Sequence, residues 1–287
     1  MQRLFFIFMF SFFVSVAQAG DTWFVDTRSA TTGLEHLTVK KLGENSRSVR
    51  QWRSATLEEF LETHCPQKPL VIVIHGNWTT AADAQSHGMT FDRLLEKRGE
   101  HRLLIWSWSS ERVACGIRKD ALIKAQRAED QANDLVLFLR NLKPNSKVSL
   151  IGFSFGAKLV CETLQMLATA EGKRNELSIR SVLLAGALDC GSLAPNGKYG
   201  QALSETEKML IHVNPDDETL CFYPLLVRIG GPQAIGKKGV AGLSKENRPK
   251  IKSVNVARQL GTEHRFMASF QTLLAYKQDF RQYALFE

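Results

Sequence analysis

Lys147-Val-Ser-Leu-Ile-Gly-Phe-Ser-Phe-Gly-Ala157 is the stretch that decides the fold of this chain. Lys147 to Ile151 is a short, mainly apolar run, the pattern of a strand buried on both faces. From Ala157 to Ala168 the period changes, and Ala157, Val160, Cys161, Leu164 and Leu167 share one helical face. Between strand and helix stands Gly152-Phe-Ser-Phe-Gly156. A serine in that context sits on a tight, strained turn, and glycines two positions to either side let the backbone pass close to its neighbours. The helix start aims N–H groups and the positive end of a dipole at the same point. Ser154 is therefore the candidate nucleophile, and the N–H of Phe155 a candidate donor to a developing oxyanion.

Outward from this stretch, strands and helices alternate. Trp23 to Thr27 and Leu37 to Leu42 read as early strands, and Thr56 to His64 as a short helix capped by Thr56. Leu70 to Ile74 is a continuous β-branched run, followed by a helix over Ala81 to Lys97 and a strand over Arg102 to Ser107. One long helix is expected from Asp120 to Leu142. Ser181 to Ala185 and Met209 to Val213 are further strands, and Pro215 to Lys252 is irregular. Ser253 to Asn255 gives a last strand, and Phe266, Phe270, Leu273 and Phe280 mark a closing helix. Such alternation predicts a mostly parallel sheet with helices on both faces, its site at the carboxyl ends of the strands.

The N-terminus has a separate logic. Arg3 is the sole charge among the first twenty residues, Leu4 to Val16 is apolar apart from Ser11 and Ser15, and Ala17-Gln18-Ala19 supplies small residues. This predicts a secretory signal peptide over residues 1–19, a domain over 20–287, and an exported, periplasmic or secreted protein. The run is short for a membrane span, and no stable span is expected after cleavage. The formal charge of +8 on 287 residues becomes +7 once Arg3 is lost. Its Lys and Arg are scattered, so no nucleic-acid module is indicated. Export permits disulfides among Cys65, Cys115, Cys161, Cys190 and Cys221, although an odd count leaves at least one thiol free within the monomer. Cys161 falls on an inner helix face, while Cys190 and Cys221 each follow a strand end and form the first pair to test. No spacing suits a metal, and no cofactor is implied.

An activated serine needs partners. Ile74-His75-Gly76-Asn77-Trp78 follows a central strand, and the N–H of Asn77 or of Trp78 would complete an oxyanion hole with Phe155. His75 precedes the serine in the chain and is read as structural. Of the two histidines after Ser154, His212 lies inside an apolar strand as a satisfied core residue, which leaves His264 as the base. Asn214-Pro-Asp-Asp217 supplies the acid, with Asp217 favoured, its neighbour Asp216 capping the turn, and Asp189 the alternative.

The stretches Val71 to Asn77, Leu104 to Trp108 and Ser149 to Ala157 together resemble a group of lipase- and esterase-like α/β hydrolases of poorly defined substrate. The resemblance is strongest over residues 70–170. It implies the α/β-hydrolase fold and a Ser-Asp-His hydrolase acting on a small-molecule or lipid ester. Glu263-His264 stands where such families often have Gly-His. An amide substrate, or a binding protein without catalysis on the same fold, are the competing expectations.

Overall fold

The computed structural model describes residues 21–28, 33–44, 49–113, 116–170, 176–227 and 230–287. The expected leader and Cys115 lie outside them. Nine strands among the described residues form one sheet: β1 Asp21–Asp26, β2 Thr38–Glu44, β3 Arg50–Ala55, β4 Leu70–Ile74, β5 Arg102–Ser107, β6 Lys147–Phe153, β7 Ser178–Leu184, β8 Lys208–Val213 and β9 Ile251–Asn255. Their order is β3-β2-β1-β5-β4-β6-β7-β8-β9. Only the β1–β2 and β2–β3 pairings are antiparallel. The central strands are buried apart from Lys147 at the start of β6, as their mainly apolar runs require.

Helices cover the sheet: α1 Leu57–Glu62, α2 Ala81–Leu95, α3 Ile117–Asp130, α4 Ala132–Arg140, α5 Phe155–Thr169, α6 Glu218–Cys221, α7 Tyr223–Val227, α8 Ile235–Lys238, α9 Ala257–Leu260, α10 Phe266–Ala275 and α11 Lys277–Phe280. Thr56 caps α1 by accepting the Glu59 N–H, and Thr80 with Asp83 closes a capping box on α2. The long helix expected from Asp120 to Leu142 is two. It breaks at Gln131, whose side chain turns to the Thr27 hydroxyl. The segment after Pro215 is less irregular than its composition suggests, because three short α-helices and a 3-10 turn over Arg248–Lys250 occupy it. Strand β3 has no apolar run and was not expected; it is a polar edge strand with little of its surface buried.

The topology places the site. After β5 the chain crosses to the far side of β4 to build β6. The crevice of an open α/β sheet opens at such a reversal, beyond the carboxyl ends. Ile74 and Gly152 pair in register, so the exits of β4 and β6 leave the sheet side by side.

Two expectations outside the site need correction. Cys190 and Cys221 are unbonded: Cys190 is buried, its backbone joined to Gln233 and Ala241, while α6 turns Cys221 to solvent. His212 is a core residue, but not a satisfied one. Its ring packs edge-on against Tyr276 at 5.9 Å, and neither ring nitrogen meets a partner.

Burial lowers His75 to about 3 and both His64 and His212 to about 4, against an ordinary 6.5. The unfolded chain therefore binds more protons than the folded one below neutrality. The contribution from these neutral rings is complete above pH 6.5 and is lost as pH falls toward about 4. Urea midpoints are expected to fall steadily from about pH 7 to pH 5, with His212→Phe removing up to about 1.4 kcal/mol per pH unit of that slope. At neutral pH His212→Phe is expected to be no less stable than wild type, since it removes two unpartnered buried nitrogens.

Candidate active site

Strand β6 ends by turning sharply through Ser154, at φ 54° and ψ −116°. Few residues other than glycine accept that conformation, so the surroundings must hold it. The Ser154 N–H donates to the Leu184 carbonyl at 3.0 Å, and the Ser154 carbonyl accepts the N–H groups of Ala157 and Ala187, each at 3.1 Å. The turn is thereby fastened to the exit of β7. Its flanking glycines answer to close approach rather than to positive φ. A Cβ on Gly156 would stand 2.5 Å from the Ile74 carbonyl oxygen, and one on Gly152 2.5 Å from the Gly156 oxygen. The β6 turn rests on the β4 exit, backbone against backbone.

The β4 exit is held just as firmly. His75 is fully buried, accepts the Trp108 N–H at Nε2 (3.2 Å), and faces the Gly76 carbonyl with Nδ1 (2.9 Å). It is a brace, as the sequence indicates. The Trp78 N–H donates to the Ser110 carbonyl at 2.8 Å, which removes it as an oxyanion donor. Asn77 and Phe155 line the cleft beside Ser154. Phe155 opens α5, where its N–H has no acceptor within the helix.

Trp78 itself has φ 56°. Its indole N–H donates to Asp120 Oδ2 at 2.7 Å, while Asp120 Oδ1 accepts the Val113 N–H at 2.8 Å and Lys124 Nζ at 3.0 Å. Burial alone would raise the Asp120 pKa, but these donors together outweigh it and hold the carboxyl down at about 2. Arg28 adds a second anchor, reaching the Thr79 carbonyl at 3.0 Å, Glu111 at 2.6 Å, Asp26 at 2.9 Å and the Ser107 hydroxyl.

Beyond β8, Asp217 is buried at the N-cap of α6. Its Oδ1 accepts the Leu220 N–H at 2.8 Å and its Oδ2 faces His264 Nδ1 at 2.7 Å. One carboxylate thus performs both tasks that the sequence divided between neighbours, and Asp216 is exposed. Asp189, the other candidate acid, accepts the Tyr223 hydroxyl at 2.8 Å instead. His264 Nε2 lies 3.0 Å from Ser154 Oγ. Because a carboxylate only accepts, Nδ1 carries the proton and Nε2 accepts from the serine. The His264 ring packs on Phe153 at 4.9 Å, and Asn214 ties the acid loop to the base loop through the Gly261 carbonyl at 2.9 Å. Glu263 turns outward to Arg265, so the departure noted in the sequence lies beside the site rather than in it.

Ser154, His264, Asn77 and Phe155 open into a cleft of about 200 Å³, otherwise walled by Trp78, Ile117, Ala121, Phe153, Ala187, Thr219, Leu220, Tyr223 and Leu226. The wall is largely apolar, with the reactive polar atoms gathered at one end. The bracing roles of the Trp78, Asp120, Arg28, Asn214 and Tyr223 side chains are not legible in the sequence. Most of their contacts join residues far apart in the chain, such as Tyr223 to Asp189 across 34 positions and Asn214 to Gly261 across 47.

The family described as "Alpha/beta hydrolase of unknown function (DUF900)" matches residues 51–229. No protein of curated function matches the chain. Among solved structures, a dienelactone hydrolase-like promiscuous phosphotriesterase, P91, from metagenomic libraries is similar at 14% identity and TM-score 0.44, covering 86% of this chain and 93% of that one. Esterase PE8 is similar at 16% identity and TM-score 0.40, covering 75% and 93%. The catalytic core of acetyl xylan esterase from Trichoderma reesei is similar at 12% identity and TM-score 0.36, covering 77% and 97%.

Two stability outcomes follow from the turn. Ser154→Gly is expected to raise the chemical-denaturation stability by about 1 kcal/mol, because it releases the positive-φ strain. Gly156→Ala is expected to lower it by more than about 2 kcal/mol, because the added methyl meets fixed carbonyls of the neighbouring strand exit.

Proposed function

The chain belongs to this family of α/β hydrolases and has its fold, and on that premise we propose that it is a serine hydrolase that cleaves an ester bond through an acyl-enzyme. The observation that carries the reading is the unbroken line of hydrogen-bond contacts from Asp217 through His264 to Ser154, ending at an apolar cleft. His264 takes the Ser154 hydroxyl proton at Nε2 as the serine oxygen attacks the ester carbonyl. Asp217 holds Nδ1–H in place and stabilises the imidazolium that results. The carbonyl oxygen becomes an oxyanion beside the N–H groups of Phe155 and Asn77, each such donor being worth about 3 kcal/mol in the transition state. The tetrahedral centre collapses, the C–O bond to the alcohol breaks, and the proton on Nε2 passes to the departing alkoxide. Water then repeats the sequence on the acyl-serine, releasing the acid and restoring the hydroxyl. No step calls on a metal or organic cofactor.

The apolar wall built by Ala121, Ala187, Leu220 and Leu226 suits the hydrocarbon part of the substrate. The modest size of the cleft, about 200 Å³, suits a short or medium chain. The leader-like residues 1–19 support export, and the mature protein is expected to begin at Gly20, a point that N-terminal sequencing of the exported protein decides.

A fluorophosphonate probe is expected to label wild type and to leave Ser154→Ala unlabelled. His264→Ala and Asp217→Asn are expected to lower kcat on a soluble ester by about 10³-fold or more. Equal labelling of wild type and Ser154→Ala would contradict the proposal. Faster turnover of a matched amide than of the ester would keep the serine chemistry and change the substrate class.

A further inference from the structure

Eight large apolar side chains are exposed among the described residues, and five of them, between 46% and 59% exposed, gather around one opening. Trp78, Val113 and Ile117 form one lip of the cleft described above. They are held together, since the Trp78 indole and the Val113 N–H share the Asp120 carboxylate. Phe222 and Leu225 form the other lip, on the α6–α7 unit whose inner side chains Leu220, Tyr223 and Leu226 wall the cleft. Helices α3 and α7 pack on each other, which brings the lips together. A folded protein seldom keeps so much apolar surface in one place without a use for it. These are also anchored groups, Trp78 being fixed in an outward position by a fully buried acid–lysine pair.

We propose that this rim is a docking surface for an anionic lipid layer, from which the cleft draws its ester. The occupant follows from position and charge. The rim surrounds the way into the cleft, so a protein seated there would shut substrate out, whereas an amphiphile layer would supply it. Arg112, Arg118 and Lys119 are exposed beside the Trp78 lip, and the formal charge, +8 over the whole sequence, is still +7 once Arg3 is lost with the leader. Asp216 and Glu218 are exposed beside the other lip, so the α3 edge meets the headgroups first. Attachment is at the surface, since no described helix is long and apolar enough to cross a membrane. The supply of substrate rests on the serine-hydrolase reading; the docking itself does not.

The test is co-sedimentation of the full mature protein with vesicles of phosphatidylcholine alone or with phosphatidylglycerol at about 3 to 1. Hydrolysis of a soluble ester is measured in parallel. Wild type and Ser154→Ala are expected to bind the mixed vesicles equally. F222S/L225S is expected to bind about tenfold more weakly or worse, while its soluble-ester rate stays at the wild-type level because neither side chain lines the cleft. R118Q/K119Q is expected to lose only the increment that phosphatidylglycerol adds. Wild-type binding no stronger than that of F222S/L225S would overturn the proposal. So would a wild-type dimer that F222S/L225S converts to monomer, which would make the rim an interface between copies. Intact vesicle binding with no fluorophosphonate labelling would refute the hydrolase reading and leave the docking surface standing.

Discussion

The structure depends on one steric contact, where the turn after β6 lies directly on the exit of β4. Two strands that leave a sheet side by side cannot cross so closely if either carries a Cβ at the crossing. Gly156 is the point where none fits, with the Ile74 and His75 carbonyl oxygens 2.5 and 2.6 Å from where that atom would be. Gly76 repeats the condition from the other strand, against Phe153 and Ser154. This contact brings an Asn77 backbone and a Ser154 side chain from distant parts of the chain to one point. It also explains why Ser154 can hold a positive φ: the turn has no room to relax into an ordinary one, and its own N–H and carbonyl are taken up by the β7 exit.

From that point the remaining parts are placed by tethers rather than by packing alone. Strand β8 lies two strands from β6, roughly 10 Å across the sheet, so neither the acid nor the base can approach the serine unaided. The acid loop rises from β8 and is capped by its own Asp217, which spends one oxygen on α6 and leaves the other for His264. Asn214, in the same loop, binds the Gly261 carbonyl and sets where the base loop begins. Helix α6, started by that cap, then becomes a wall of the cleft. Acid, base and binding wall are thus one assembly with a single origin at the end of β8.

What the sequence discloses follows the range of the interactions. Strand β6 and helix α5 were legible because a change of period coincides with a pair of glycines, and β4 and β5 because two-sided burial demands continuous apolar runs. His264 could be picked by chain order once Ser154 was in hand. Choosing among Asp189, Asp216 and Asp217 needed coordinates, because adjacent carboxylates differ only in which one the backbone turns inward. Edge strand β3 was hidden because one covered face and a charged sequence leave no apolar signature. The Trp78–Asp120 and Arg28–Thr79 links were hidden because they span 42 and 51 residues and obey no local rule. The expected Cys190–Cys221 bond failed for a similar reason. Both cysteines follow strand ends, but Cys190 is held in a buried turn by backbone bonds to Gln233 and Ala241, while α6 carries Cys221 to solvent.

The central claim is that Ser154 and His264 act as one unit, and a double-variant cycle on kcat tests it most directly. Two groups that act only through each other lose their contribution once, so Ser154→Ala, His264→Ala and the double variant are expected to be equally slow within about threefold. Losses that multiply in the double variant, or a His264→Ala enzyme close to wild type, would contradict the account.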